Sequence, residues 1–287
     1  MSALKTIADV VDSELEGRVR TYTWRKTPSQ ATTAGLWFDL SMSPGNPVPK
    51  YWFDAPPLIA KGVFQSVDGG LFHGANVSPS TKYLRNIIVQ ANAATALPMN
   101  MILCDYLLYY PSVDDGTTDP QLMDNSVPLP RYTDGKGVHI LPVTVAARTG
   151  GQQFQISYTN QDGQSGRTTV NVTQNSASSI GTVSGSATAT ANASNPFVGL
   201  QSGDSGVRSI DSVTMLGGDV GLTSFILVKP IAQIIARELT VPYEKDFLLY
   251  QSDIDVIYDD AFLNFVCLPN GSLAATVLTG SIKTIWK

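Results

Sequence analysis

Apolar residues recur every three or four positions at the start of the chain. They are Leu4, Ile7, Ala8, Val11 and Leu15. This spacing places them on one face of a helix, and Gly17 stands where such a helix would end. The sequence therefore predicts a short amphipathic helix over Ser2–Glu16. Two uses of its apolar face remain open: packing on its own domain, or docking on a neighbouring subunit as an arm, since so short a helix is marginally stable alone.

From Arg18 onward, short apolar or alternating runs are separated by Gly, Pro, Asn and Asp. Such runs predict β-strands joined by turns. The predicted strands are Leu36–Met42, Leu84–Gln90, Met99–Tyr110, Val138–Val145, Val207–Met215, Thr223–Val228, Leu263–Cys267 and Ala274–Ile285. Phe154–Tyr158 and Val170–Val172 alternate strictly around a turn-prone loop, so they predict a hairpin. Pro230–Leu239 fits a helix and a strand equally well.

Residues Asn175–Asn195 consist almost entirely of Ser, Ala, Thr, Gly and Asn. Their alternation, which includes Thr188 and Thr190, allows a flat exposed strand whose free edge pairs with another chain. A loop is the alternative for this segment.

The many short strands predict an all-β fold with β-sandwich or jelly-roll regions and a short N-terminal helical arm. The chain of 287 residues is long enough for one large β domain or two smaller ones. We predict an arm over residues 1–20 and two sandwich-like regions over residues 21–147 and 148–287. An alternative topology makes residues 150–228 an insertion in a single jelly roll.

The composition narrows the function. Charged residues make up 15% of the chain, against a usual ~25%, which fits a protein whose surface is largely covered by other subunits. The net charge of −5 argues against direct nucleic-acid binding. We expect no membrane span and no secretion signal, because no apolar run is long enough and no basic segment leads into one. Cys104 and Cys267 lie in apolar surroundings and are expected to be buried free thiols.

The tetrapeptide Gly203-Asp204-Ser205-Gly206 matches the nucleophile segment of chymotrypsin-like proteases. That chemistry needs a histidine beside the serine and a carboxylate behind it. The only histidines, His73 and His139, lack the sequence context of that family. We therefore interpret the tetrapeptide as a turn between strands and predict no catalytic residues.

Metal and cofactor motifs are also missing. The two histidines and two cysteines lack zinc-ligand spacing, and no phosphate-binding loop occurs. Asp253 and Asp255 alternate with apolar residues, as solvated acids on a strand do; a bound cation or a glycosidase acid pair is the alternative. We predict no cofactor and no metal site.

The aromatic residues suggest a further possible function. A sugar-binding platform could use Trp24, Trp37, Trp52, Trp286, Tyr22, Tyr51 and Phe53. Such rings more often fill a core or an interface. Trp286, next to the C-terminal Lys287, is expected to anchor the last strand.

Several turn-rich stretches resemble those of structural proteins in tailed-bacteriophage particles. They are residues 158–167, 199–210, 226–230, 262–271 and 279–285. The resemblance implies a symmetrically arranged β-sandwich component of the virion, and head decoration or cement proteins of this kind commonly form trimers that clamp capsid subunits. No helical pattern here is long enough for the spine helix of the common major capsid fold, which favours an accessory shell protein.

The expected function is therefore mechanical and non-enzymatic: an accessory capsid component that assembles in the host cytoplasm and resides in the virion. Expected partners are copies of itself, most simply as a trimer, and major capsid or other virion proteins. The predicted assembly interface comprises Leu4, Ile7, Val11, Leu15, Thr188, Thr190 and Trp286. One alternative is a tail or fibre component that binds host-surface glycan; the last is a hydrolase using Ser205 or an Asp pair.

Overall fold

The computed structural model describes residues 4–177, 179–185, 195–248 and 255–287. Its helices are α1 (Ile7–Leu15) and the single-turn α2 (Gln65–Asp68), and a 3-10 turn spans Leu40–Met42. The strands are β1 (Val19–Lys26), β2 (Phe38–Asp39), β3 (Gly45–Asn46), β4 (Lys61–Gly62), β5 (Lys82–Ala91), β6 (Met99–Asp114), β7 (Gln121–Leu122), β8 (His139–Ala146), β9 (Gln153–Asn160), β10 (Arg167–Thr168), β11 (Val172–Thr173), β12 (Val207–Met215), β13 (Leu222–Ala236), β14 (Tyr243–Asp246), β15 (Phe262–Leu268) and β16 (Leu278–Trp286).

The strands form three antiparallel sheets, so the predicted all-β class with a short N-terminal helix is confirmed. The terminal sheet has the order β14-β5-β16-β1-β3, and the central sheet has the order β2-β15-β6-β13-β8 with β4 beside β6. The distal sheet has the order β10-β9-β12-β7, with β11 also pairing with β9. The first and last long strands, β1 and β16, pair in the terminal sheet along their whole lengths.

The central sheet is buried on both faces. One face forms a first core with the terminal sheet, through residues such as Trp24 and Met101, and a second core with the distal sheet, through residues such as Phe154 and Phe225. The opposite face forms an outer core beneath the loops before β4 and after β11, and Ile226 belongs to it. Burial on both faces explains why the sequence of β6 is almost continuously apolar instead of alternating.

The central sheet contains strands from both halves of the chain, and a domain border near residue 147 stays a prediction. Strand β13 pairs with β6 over Leu222–Ala236 and with β8 over Leu222–Val228, so strands from both sides of the border share the central sheet. The physical reason is that β6 and β13 are long enough for one sheet to pack against two others in succession. Strands β9–β12 lie in the distal sheet. They fall within residues 150–228, which the alternative topology treats as an insertion.

Three local predictions are corrected or resolved. The undecided segment Pro230–Leu239 begins as strand, because β13 continues to Ala236 against β6. Of the predicted strand Leu36–Met42, only Phe38–Asp39 is strand. Leu40–Met42 forms the 3-10 turn instead, in which the Asp39 carboxylate accepts from the Ser41 amide at 3.0 Å. The predicted hairpin is present, since β10 and β11 both pair with β9.

Candidate assembly surface

Helix α1 begins at Ile7 because Thr6 and Asp9 form a capping box. The Thr6 hydroxyl accepts from the Asp9 amide at 3.2 Å, and the Asp9 carboxylate accepts from the Thr6 amide at 2.8 Å. These contacts satisfy amide donors that the first helical turn leaves free. The sequence prediction of a helix over Ser2–Glu16 is thus correct in kind and begins too early.

Helix α1 packs on the terminal sheet, on the face opposite the first core. Val10 is buried against Tyr83 and Ile285, and Val19 joins this cluster. Val19 and Trp24 lie five residues apart in the regular strand β1, so their side chains point to opposite faces. The helix therefore packs on its own domain, but through the face that carries Val10 and not through the predicted apolar face.

Ion pairs fix the orientation of α1. Lys283 donates to the Glu14 carboxylate at 2.7 and 3.0 Å, and Lys287 pairs with Asp9. The latter hydrogen bond, followed by one from the Lys5 amide, lowers the pKa of Asp9. Two acidic side chains of the helix, Asp9 and Glu14, are thereby engaged by the last strand and the residue that follows it.

The helix buries the less apolar of its faces. Ile7, Val11 and Leu15 are 69%, 49% and 81% exposed, whereas Val10 and Ser13 are buried. Their spacing of four residues lines the exposed three along one side of α1. We call Ile7, Val11 and Leu15 the apolar stripe. Leu4 lies partly buried against the Val10 cluster and does not belong to it.

The other residues predicted for the interface have different surroundings. Trp286 is half-buried in the terminal sheet, where its amide donates to Arg18 O at 3.1 Å and the Arg20 guanidinium lies 5.7 Å from its ring centroid. This placement fits an anchor of the last strand. Thr188 and Thr190 lie outside the described residues.

The described parts of the segment Asn175–Asn195 are not a free strand edge. Ser184 and Val183 are buried, and the Val183 amide donates to Trp37 O at 2.9 Å. The Ser184 amide donates to Pro142 O at 2.8 Å. The prediction of an exposed strand is therefore wrong for these parts, because small side chains let the backbone pack closely over β8.

The tetrapeptide around Ser205 is a structural turn. Asp204 accepts from Arg167 Nε at 2.9 Å and from Asn160 Nδ2 at 2.8 Å, and the Ser205 amide donates to Gln161 Oε1 at 3.0 Å. These contacts connect neighbouring segments of the distal sheet.

The histidines are also engaged elsewhere. His73 Nε2 lies 2.8 Å from Ala261 O and its Nδ1 lies 3.4 Å from Lys82 Nζ, so Nε2 carries the proton and Nδ1 accepts. The ring of His139 stacks on Phe197 at 5.0 Å. The contacts of both histidine side chains are thus with residues other than Ser205.

The aromatic residues divide between the interior and the surface. Trp24, Trp37 and Trp52 are buried, so these three are core residues and not part of a sugar platform. Tyr51 and Phe53 are 48% and 49% exposed, and their rings stack at 5.4 Å.

Sequence reasoning missed the buried polar networks. Asp39 is fully buried and accepts from Tyr106 Oη at 2.7 Å and Trp52 Nε1 at 2.6 Å. Burial raises the pKa of this carboxyl, and the hydrogen bonds oppose that rise. Asp105 is another buried acidic residue. It interrupts the apolar run of β6, and this interruption was the signal that the sequence offered.

The described residues include neither a grouped metal-ligand set nor a membrane-crossing helix. No three His, Cys, Asp or Glu side chains among the described residues are grouped so that they could hold a metal ion. The described helices include none with both the length and the apolar character needed to cross a membrane.

The fold thus defines an all-β protein with a doubly covered central sheet and a surface helix. No family model and no curated protein matches the chain. Among solved structures, the chain is similar to those of infectious bursal disease virus strains Gt and Gx, at 9% and 8% identity and a TM-score of 0.17. Each alignment covers 93% of this chain, and 80% and 79% of the other. A mutant VP2 protein of that virus, from T=1 particles, gives 9% identity, the same TM-score and coverage of 93% and 77%. A similarity at this TM-score does not establish a shared fold.

Proposed function

We propose that this protein is a non-enzymatic structural subunit of a tailed-phage particle, an accessory capsid component of the decoration or cement type. The apolar stripe of Ile7, Val11 and Leu15 carries the proposal. The helix displays this stripe in a fixed orientation, because Val10, Lys283 and Lys287 hold its other side. A covering subunit would remove the stripe from water.

The free energy gained by burying the stripe favours assembly of several subunits over a single tight contact. Complete burial of one such side chain contributes about 1.5–3 kcal/mol, whereas association costs roughly 4–15 kcal/mol. Three partly exposed side chains offset only the lower part of that range. In a closed oligomer, in which each subunit makes such a contact twice, the small contributions add. The proposed occupant of the stripe is a second copy of this chain, most simply within a trimer.

Light scattering of the purified protein tests this proposal. Replacement of Ile7, Val11 and Leu15 together by serine is expected to weaken a defined oligomer. Val67→Ser is the matched control, since Val67 is 80% exposed on α2. Substitution is sharper than removal of the first residues, because truncation would uncover Tyr83 and Ile285.

The outcomes separate the alternatives. An oligomer that weakens only in the triple variant supports self-assembly through α1. A monomer for wild type and both variants would contradict it and leave assembly with another shell protein or a binding module. An oligomer equally stable in all three would place the self-contact elsewhere.

The stacked pair Tyr51 and Phe53 favours a second candidate, a tail or fibre component that binds host glycan. Exposed flat rings can stack on sugar faces. Retention on immobilised bacterial surface glycan that is lost in Tyr51→Ala and kept in Val67→Ser would support this function. Equal elution of the wild type and the variant would count against it.

A further inference from the structure

Strand β13 has one open edge. It pairs with β6 along its whole length, but its pairing with β8 ends at Val228. Among the described residues, no strand pairs with the β8 side of β13 beyond that point. The open edge therefore runs from Lys229 to Ala236.

The backbone of this edge points outward. Lys245 Nζ donates to Gln233 O at 2.9 Å, so the Gln233 carbonyl faces away from β6. In a strand, the N–H and C=O of one residue point the same way, and every second residue repeats the direction. The N–H of Gln233 and both backbone groups of Ile235 therefore face the open side, and Lys245 covers only one of these groups.

Cavities flank both faces of the open edge. One of about 410 Å³ is lined by Ile234 and Tyr243, which pack in the first core. A cavity of about 350 Å³ lies at the edge itself, between Ile231 of the first core and Phe197 of the outer core. A cavity of about 240 Å³ is lined by Leu268, which packs against the outer core. Side chains of an added strand alternate between faces, so they would enter the cavities on the two faces in turn.

The charged side chains along the open edge indicate which charge a partner strand would carry. Three basic side chains, Lys229, Arg237 and Lys245, lie along this edge, against one acidic side chain in the same cavity, Glu244, which accepts a hydrogen bond from Asn86. This local excess of positive charge contrasts with the net charge of −5 for the whole chain.

The same charges argue against a second copy of β13. Antiparallel self-pairing about Gln233 would place Lys229 opposite Arg237 of the partner at each end. Like charges directly opposite each other on paired strands are destabilising.

We propose that the open edge of β13 accepts an extended, acidic strand from a different protein. The strand would pair with the outward backbone groups of Gln233 and Ile235, and its carboxylates would meet Arg237 and Lys245. This surface is distinct from the apolar stripe and goes beyond the proposed function, since it names a second kind of partner.

Fluorescence anisotropy with a labelled probe peptide tests the proposal. The probe has about ten residues that alternate Val and Glu, and the comparison peptide alternates Val and Lys. Gln233→Pro removes an outward N–H without removing a bond to β6, and edge strands tolerate proline in that position. The expected result is binding of the acidic probe, weakened roughly tenfold or more in Gln233→Pro and retained in Gln233→Ala.

A second variant keeps the test decisive if Gln233→Pro does not fold. The double change Arg237→Glu and Lys245→Glu is expected to lose the acidic probe and to bind the basic one. No binding by wild type, or binding unaffected by both variants, would overturn the proposal. Dimerisation that Gln233→Pro abolishes would also overturn it, in favour of self-pairing. The triple serine variant of α1 binds the probe like wild type, so failure of either proposal is recognised separately.

Discussion

Asp105 and Arg131 form a buried bidentate ion pair in the middle of the central sheet. Arg131 Nε lies 2.8 Å from Asp105 Oδ2, and Arg131 Nη2 lies 2.7 Å from Asp105 Oδ1. Strand β6 places Asp105 between Leu103 of the first core and Leu107 of the second. These charge-assisted hydrogen bonds hold Asp105 at the border between the two cores, and Arg131 also donates to Val63 O at 3.0 Å.

Arg131→Met is expected to destabilise the protein by roughly 3–5 kcal/mol near neutral pH, because it leaves a buried carboxylate without its partner. In the wild type, burial raises the pKa of Asp105 to about 6, and Arg131 limits that rise. Without Arg131 the pKa of Asp105 rises further, so the carboxyl of the variant takes up a proton at a higher pH. Its protonation removes the free-energy cost of a buried, unpaired charge. Urea unfolding at pH 8 and at pH 5 checks this.

The predicted loss is larger at pH 8 than at pH 5. Arg208→Met is the control, since Arg208 is only partly buried and donates to backbone oxygen. A loss of the same size at both pH values would show that the missing packing of Arg131, and not its charge, is responsible.

His73 makes stability depend on pH. Burial, and then the charge of Lys82, lowers its pKa from 6.5 to about 4. Between these values the unfolded chain binds a proton that the folded protein does not, so the contribution of His73 is present above pH 6.5 and falls as the pH falls towards 4. The whole contribution of His73 to the unfolding free energy is roughly 3 kcal/mol, from about 1.36 kcal/mol for each pH unit between the two pKa values.

His73→Gln is expected to remove this dependence. The difference in unfolding free energy between wild type and variant shrinks from pH 7 to pH 4, as measured by denaturant titration at each pH. Asp105 acts in the opposite direction over a similar range, because its raised pKa makes the folded state bind protons more tightly. Only the difference in unfolding free energy between wild type and variant therefore isolates the contribution of His73. A difference that stays constant with pH would refute the assignment of His73 as a buried neutral histidine.

Gly280 permits close packing in the terminal sheet. A Cβ there would lie 2.0 Å from Ile88 O and 2.8 Å from the Trp24 ring. Gly280→Ala is expected to cost roughly 3 kcal/mol, at the upper end for overpacking. Gly166→Ala is the control: Gly166 has a φ of +70° and open space around it, so its strain alone costs about 1–2 kcal/mol. Equal losses in thermal unfolding would contradict the steric explanation.

Cys104 and Cys267 are free and buried, and burial raises the pKa of both thiols. We expect neither to react with a thiol reagent in the folded protein, and both to react in guanidinium. Reaction of either thiol at the rate of a free cysteine under native conditions would show that its strand opens readily.

Much of the strand pattern follows from the sequence. The predicted strand Val207–Met215 is β12 with the same bounds, and Leu84–Gln90 is the interior of β5. These runs are recognisable because alternation and β-branched content act locally. Pro230–Leu239 could not be assigned, since its proline and its β-branched residues give opposite local preferences and only pairing with β6 decides between them.

The candidate surfaces depended on more than local pattern. The spacing of Ile7, Val11 and Leu15 determined that they share a helical face, but the terminal sheet decided that this face points outward and Val10 points inward. Likewise, only pairing with β6 decides that Pro230–Ala236 continues β13, and the end of β8 decides where the edge of that strand opens. Periodicity fixes which residues lie together on an element. Which side that element buries depends on contacts between residues far apart in the chain, and these form only when the sheets assemble.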